Sequence, residues 1–285
     1  MDPAALTSWL GRTRERTDTL TPRLVEAYRA TLSPHLACVA RGEAPPAIHW
    51  CLAPEAATAG RLGADGHPLT GDFLPPMALP RRMWAGGRVE TTGPLRLGDR
   101  VVRRSKIAAI TRKEGRSGAL GFVTVEHEYA TRRGLAVHER QDIVYREAAP
   151  PPSAPMPADT AEATEAVPPP GCDQVWTVSA SSVLLFRYSA LTFNSHRIHY
   201  DLPYALGIEG YAGLVVHGPL QASLLLNLAA TVGGCAPRVF DYRGIAPLIA
   251  EGVFFVCSRR QDDSRVRCWT QSITGETSME AMATW

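Results

Sequence analysis

Residues 214–232 read LVVHGPLQASLLLNLAATV, and this stretch decides the fold. It has few polar residues, so a helix here is buried on most of its sides. Gly218-Pro219 supplies the start, because proline fits a first helical turn, where its missing N–H costs nothing. Downstream the period changes to two. Segments 244–249, 252–259, 266–274 and 276–284 alternate as strands, with Gln261-Asp262-Asp263-Ser264 and Gly275 as turns. Upstream, Val175–Val178 reads as a short strand and 181–190 as a helical approach. A mostly hydrophobic helix among antiparallel strands predicts an α+β unit whose curved sheet wraps that helix.

The segment 148–171, AAPPPSAPMPADTAEATEAVPPPG, holds eight prolines and almost no large side chains. It cannot form a packed element and predicts an extended Pro/Ala-rich linker. The chain is thereby divided into residues 1–147 and 172–285, each the size of a small domain. The first half opens with Thr21-Pro22 as cap and first helical residue. Leu24, Ala27, Tyr28 and Leu32 then recur at helical spacing until Pro34. A loop-rich stretch runs to about Arg88. Strands are expected at 89–92, 95–106, 120–132 and 135–146, joined at Lys113-Glu114-Gly115 and Arg133-Gly134. Helix followed by strands occurs in both halves, which suggests an internal duplication.

The 285 residues carry a formal net charge of +2, which makes no general case for a nucleic-acid or anionic-membrane partner. No apolar stretch is long enough to span a bilayer, and the N-terminus shows no secretion signal. The six cysteines, at 38, 51, 172, 235, 257 and 268, lack the local spacing of a zinc knuckle or redox dithiol. A reducing, cytoplasmic location is expected.

Phe193-Asn-Ser-His-Arg-Ile-His-Tyr-Asp201 crowds His196, His199, Asn194 and Asp201 into a turn-like segment just before His217 and the apolar helix. Histidine exchanges a proton near neutrality, asparagine can hold a water or a carbonyl, and aspartate can orient an imidazole. Turn hydrogen bonding alone is the plainer explanation of such residues. A metal held by His196, His199 and either Asp201 or His217 is a further alternative. Against it, the chain has no glutamate where a hydrolytic zinc site needs one. Gly218 opens the helix, and backbone N–H groups at a helix start stabilise an oxygen that gains negative charge. A thioester carbonyl becoming an enolate is such an oxygen.

Three motifs carry a family resemblance. They are Phe186-Arg-Tyr-Ser-Ala-Leu-Thr-Phe-Asn-Ser-His-Arg-Ile-His-Tyr-Asp201, Gly210-Tyr-Ala-Gly-Leu-Val-Val-His-Gly-Pro219 and Gln141-Asp-Ile-Val-Tyr-Arg146. With them the chain resembles the MaoC-like hydratase/dehydratases of the hot-dog superfamily. More narrowly it resembles their double-domain branch, which includes mesaconyl-C4-CoA hydratase, itaconyl-CoA hydratase and mitochondrial 3-hydroxyacyl-thioester dehydratase type 2. The resemblance implies a double hot-dog, each half a sheet around a central helix, with residues 1–147 degenerate and 172–285 catalytic. It implies an acyl-CoA thioester substrate, no metal and no cofactor, and a homodimer is compatible with it.

The broader family motif is Gly-Asp-x-Asn-Pro-x-His. Aligned on His199, its aspartate falls on Asn194, its asparagine on His196 and its proline on Arg197. His199, Asn194 and Gly218 are therefore the expected catalytic set. Either Asn194 only positions the water and His199 handles the proton, or His196, Asp201 or an acid of the first half replaces the missing aspartate, with His217 as a further supporting histidine. Arg81, Arg82 and the pair Arg103-Arg104 are candidates for CoA phosphates, Arg197 or Arg82 for a distal substrate carboxylate, and Tyr211 for the pocket wall. The expected reaction is reversible hydration of a 2-enoyl-CoA, with mesaconyl-C4-CoA or itaconyl-CoA favoured. A fatty 3-hydroxyacyl-thioester dehydratase and a non-hydrating or thioesterase-like acyl-CoA protein are the alternatives.

Overall fold

The computed structural model describes residues 6–115, 118–147, 167–250 and 252–285, so most of the expected linker, 148–166, lies outside the described residues. The strands among the described residues form one antiparallel ten-stranded sheet. They are β1 (Thr13–Thr19), β2 (Arg81–Thr91), β3 (Arg100–Gly115), β4 (Gly118–Thr131), β5 (Gly134–Arg146), β6 (Gln174–Ser179), β7 (Val239–Gly244), β8 (Val253–Arg260), β9 (Arg265–Ser272) and β10 (Thr277–Thr284). Their order is β1-β3-β4-β5-β2-β7-β10-β9-β8-β6. The first five strands in sequence and the last five thus occupy opposite ends of the sheet. They meet where β2 pairs with β7, Gly86 to Glu90 against Arg243 to Val239.

The helices that accompany the sheet include α1 (Pro22–Leu32), α2 (Ser182–Thr192), α3 (Leu202–Gly207) and α4 (Gly218–Gly233). The long apolar α4 is buried almost throughout and lies against β7 to β10, as its composition predicts. Its few polar side chains are all used. Gln221 Oε1 accepts from Thr270 Oγ1 at 2.7 Å, and Ser223 Oγ meets the Tyr188 hydroxyl at 3.1 Å. Asn227 Oδ1 accepts from the Ala37 N–H at 3.2 Å, and its Nδ2 donates to the Pro46 carbonyl at 3.0 Å. A buried polar group without a partner would cost about 1–3 kcal/mol, so these bonds also bind the first half to the central helix. Thr21 caps α1 as expected, accepting from the Leu24 N–H, and α1 turns Val25, Tyr28 and Leu32 into the same core.

Several expectations about elements need correction. The strand expected at 95–106 is β3, which starts at Arg100 and runs on through Lys113-Glu114-Gly115, read as a turn. β1 was not anticipated, because its sequence TRERTDT alternates without an apolar member. It is a charged edge strand on β3, and such charges discourage pairing with other chains. β2 begins at Arg81, within the stretch read as loop, since RRMWAGGRVET lacks alternation and carries a register shift between Trp84 and Gly86. The strand expected at 244–249 is instead β7, ending at Gly244; residues 245–248 line a cavity as loop, consistent with Pro247 lacking a ladder donor.

Candidate active site

Asn194, His199 and Gly218 face one cavity of about 440 Å³ at the junction of the halves. Local chain geometry brings them there. Phe193 closes α2 in a left-handed conformation, φ 52°, and so turns the chain sharply into Asn194. The Asn194 Oδ1 accepts from the His196 N–H at 3.0 Å, which leaves the donor end of its amide for a bound water. A 3-10 turn, Arg197–His199, then buries His199 to 6% exposure. The His199 Nδ1 lies 2.7 Å from the Val215 carbonyl, so Nδ1 carries the proton and donates it. Nε2 keeps its lone pair and is the basic atom. Burial pushes the ring down to about 4, with the Val215 hydrogen bond pulling in the opposite direction, so it is neutral at physiological pH.

His217 lies flat against His199, with ring centroids 3.6 Å apart at 21°, and contacts Ser189 Oγ through Nε2 at 2.8 Å. Fully buried, it holds the His199 ring from behind and does not line the cavity. The next residue, Gly218, starts α4, whose first turn has no side-chain cap and includes Pro219. The uncapped Gly218 N–H is thus suited to an oxygen acquiring negative charge. Glycine is required here by contact: a Cβ would lie 2.7 Å from Trp84 Cε3. Trp84 is itself stacked on Tyr242 at 4.6 Å and has little room to withdraw. Gly218→Ala is therefore expected to displace the helix start and lower kcat/KM by about 10-fold or more, equivalent to about 1.4 kcal/mol. Steady-state kinetics of that variant check it.

The other anticipated residues separate into two groups. His196, Arg81, Arg82 and Tyr211 line the cavity. Arg81, however, is ion-paired with Glu209, also in the cavity wall, and donates to the Ile208 carbonyl. Its charge is already balanced, which argues against a phosphate role. Arg82 has no carboxylate at ion-pair distance among the described residues.

Asp201 and Arg197 do not line the cavity. Asp201 caps α3 by accepting from the Tyr204 N–H at 3.1 Å and receives two hydrogen bonds from Arg197, at 2.9 and 2.7 Å. The remaining Arg197 nitrogen donates to the Ala64 carbonyl, and the guanidinium lies over Tyr204. Both side chains are thus engaged with each other and with groups outside the cavity. Arg103 and Arg104 are likewise outside the cavity; Arg104 pairs with Glu15 at 3.2 Å.

Among the cavity residues not foreseen by name are Asp65 and His67, from the loop preceding β2. His67 Nδ1 lies 2.8 Å from Asp65 Oδ2, and the His67 N–H donates to Asp65 Oδ1 at 3.0 Å. His67 in turn packs on His196, ring centroids 4.0 Å apart. The ligand-type atoms of Asp65, His67 and His196 lie within 4.8 Å of one another, the only such group among the described residues. The short Asp-Gly-His sequence at 65–67 is the one local signal, and it is too common to single out in a loop.

A double hot-dog whose long buried helix starts beside a neutral histidine defines the class of MaoC-like hydratase/dehydratases. Two solved structures share the fold. A MaoC-like dehydratase from Phytophthora capsici superposes with a TM-score of 0.69 at 14% identity, covering 96% of this chain and 95% of that one. A double hot-dog protein of Mycobacterium tuberculosis gives 0.55 at 15% identity, covering 96% and 95%. Residues 47–250 match the model of the family hydroxyacyl-thioester dehydratase type 2, and the chain belongs to that family. It is also 43% identical over 283 residues to Mesaconyl-C(4)-CoA hydratase of Chloroflexus aurantiacus, spanning 99% of this chain and 98% of that protein.

Proposed function

We propose that the protein catalyses reversible hydration of a 2-enoyl-CoA thioester, with a small dicarboxylic acyl-CoA of the mesaconyl-C4 type as substrate. The observation that carries this reading is the cavity itself. It combines a neutral histidine, an amide and a helix-start N–H with Arg82, a cation that has no carboxylate at ion-pair distance among the described residues. The full-length similarity to a mesaconyl-C4-CoA hydratase supports the same substrate class.

In the hydration direction His199 Nε2 takes a proton from a water held by Asn194. The water oxygen bonds to the β-carbon, and the alkene electrons move into the thioester. The Gly218 N–H holds the resulting enolate oxygen, and the proton on His199 passes to the α-carbon. Dehydration is the reverse. The thioester activates the alkene, so the scheme calls for neither metal nor cofactor. No described helix is long and apolar enough to cross a membrane. A reducing, cytoplasmic setting is part of this proposal.

Arg82 is assigned to the distal carboxylate. A charge-assisted hydrogen bond of this kind is worth about 1.5–3 kcal/mol. A panel of mesaconyl-CoA, itaconyl-CoA, crotonyl-CoA and a long-chain 2-enoyl-CoA tests the assignment. A dicarboxylic member is expected to lead in kcat/KM by at least about 10-fold, or about 1.4 kcal/mol. Arg82→Met is expected to remove that lead while leaving crotonyl-CoA within about 3-fold of its wild-type value. Preference for the long-chain thioester would instead establish the fatty 3-hydroxyacyl-thioester reading.

A further inference from the structure

We propose that Asp65 is the carboxylate partner of the active-site histidines, supplied by the first half of the chain in the role that an acid at position 194 would fill. This inference deepens the hydratase reading above and rests on it. The motif's aspartate is Asn194 here, and an amide can hold a water but cannot balance a positive charge. Asp201, the nearest acid in sequence, is committed to Arg197 and to the α3 cap. Asp65 is committed to a histidine of the cavity instead.

The loop carrying Asp65 is clamped to the catalytic turn rather than merely adjacent to it. The Arg197 N–H donates to the Asp65 carbonyl at 2.9 Å, and Ser195 Oγ donates to the Gly66 carbonyl at 2.5 Å. Gly66 has a left-handed φ of 87°, and a Cβ there would lie 1.9 Å from the Ser195 carbonyl oxygen. Only glycine allows this approach. Both contacts tie residues 65–66 to the segment that presents His196 and His199.

From Gly218 the imidazoles then follow in order. His217 lies against His199, His199 meets His196 edge-on at 5.4 Å, and His196 packs on His67, which Asp65 holds. Burial alone would raise the Asp65 carboxyl, yet the His67 hydrogen bond and neighbouring imidazoles hold it below the usual carboxylate range. It is therefore a permanent negative charge at the end of the row.

The reaction needs such a charge at one moment. Hydration breaks an O–H bond of water and the alkene π bond, and it forms the O–Cβ and H–Cα bonds. Between the two proton transfers His199 is an imidazolium. Arg82, on the same cavity wall, disfavours protonation of His67 and His196, the imidazoles next in the row. Arg81 is neutralised by Glu209. With a substrate carboxylate on Arg82, Asp65 remains to compensate the imidazolium. Asp65 is thus a positioning and charge-balancing residue, acting through His67 and His196.

The test is Asp65→Asn, which keeps the shape and one of the two acceptor oxygens that His67 uses but removes the charge. With the panel's best substrate, kcat is expected to fall by about 10- to 100-fold while KM stays within about 3-fold, the split expected when an interaction matters only after binding. The acid limb of the kcat profile should also move to lower pH, because loss of the carboxylate makes the imidazoles harder to protonate. Arg82, the Arg81–Glu209 pair and Glu55 face the same cavity and are unchanged in the variant. Should thermal melting show that Asp65→Asn does not fold, His67→Gln carries the same kcat and pH readouts.

Wild-type kcat and an unmoved acid limb in Asp65→Asn, with His199→Ala inactive, would overturn the role of Asp65 and leave the hydratase reading standing. Stoichiometric metal in the purified wild type, lost from Asp65→Asn, would overturn it in favour of a metal bound by Asp65, His67 and His196. A wild type that hydrates no member of the panel would sink the hydratase reading and this inference with it.

Discussion

Replacing His199 with alanine is expected to lower kcat/KM by at least about 10²-fold, the scale of a lost general acid–base group. The expectation follows from the ring's environment. Its Nδ1 is used by the Val215 carbonyl, its rear face by His217, and only the Nε2 edge is left for chemistry. The loss should fall on kcat more than on KM, since the proton is transferred only after the thioester is in place. The wild-type rate should show no histidine-like decline between pH 8 and 6, because burial has moved the His199 titration down to about 4. Near-wild-type turnover in His199→Ala would remove the centre of the mechanism.

Acid lability is the second large effect. His49 and His127 are held near 3, His67 and His199 near 4, His196 near 2 and His217 well below its ordinary value, in each case chiefly by burial. In the unfolded chain each titrates near ~6.5. Below that pH the unfolded state binds protons that the folded state refuses. Stability is therefore complete above about 6.5 and declines as the pH falls toward about 4, by up to about 1.4 kcal/mol per pH unit for each histidine.

Glu139 works in the opposite sense. Burial, only partly offset by its Trp50 and Tyr242 hydrogen bonds, raises its carboxyl to about 7. Its contribution is present below about 4.5 and lost as the pH rises through about 7, which cancels roughly one histidine's share. Denaturant unfolding at pH 7 and pH 5.5 should differ by several kcal/mol, with the acid sample weaker. Equal stabilities would mean that the histidine row is solvated or charged in the folded protein.

The sequence disclosed elements whose burial leaves a local periodic trace, and it failed where long-range pairing decides. The buried α4 was evident because one continuous apolar run can be read without knowing its neighbours. β1 left no such trace, being a polar edge strand whose existence depends on β3. β2 was disguised by Gly86-Gly87 and by its register shift, which are tolerable only because β5 and β7 flank it.

The same division holds in the site. Asn194, His199 and Gly218 fall within 25 residues and were visible as a motif. Asp65, His67 and Trp84 reach the cavity from more than 100 residues away, through contacts such as Ser195 with Gly66 that no local pattern encodes. Arg197 and Asp201 misled for the complementary reason. Their proximity to His199 in sequence concealed that they satisfy each other in an i, i+4 ion pair away from the cavity.

The most direct measurement incubates the protein with mesaconyl-C4-CoA and follows three quantities together: enoyl-thioester absorbance, product mass and free thiol. Hydration predicts that the absorbance falls, that the product is heavier by one water, and that no CoA thiol is released. Release of free thiol without any hydroxyacyl-CoA would contradict the account and make the protein a thioesterase.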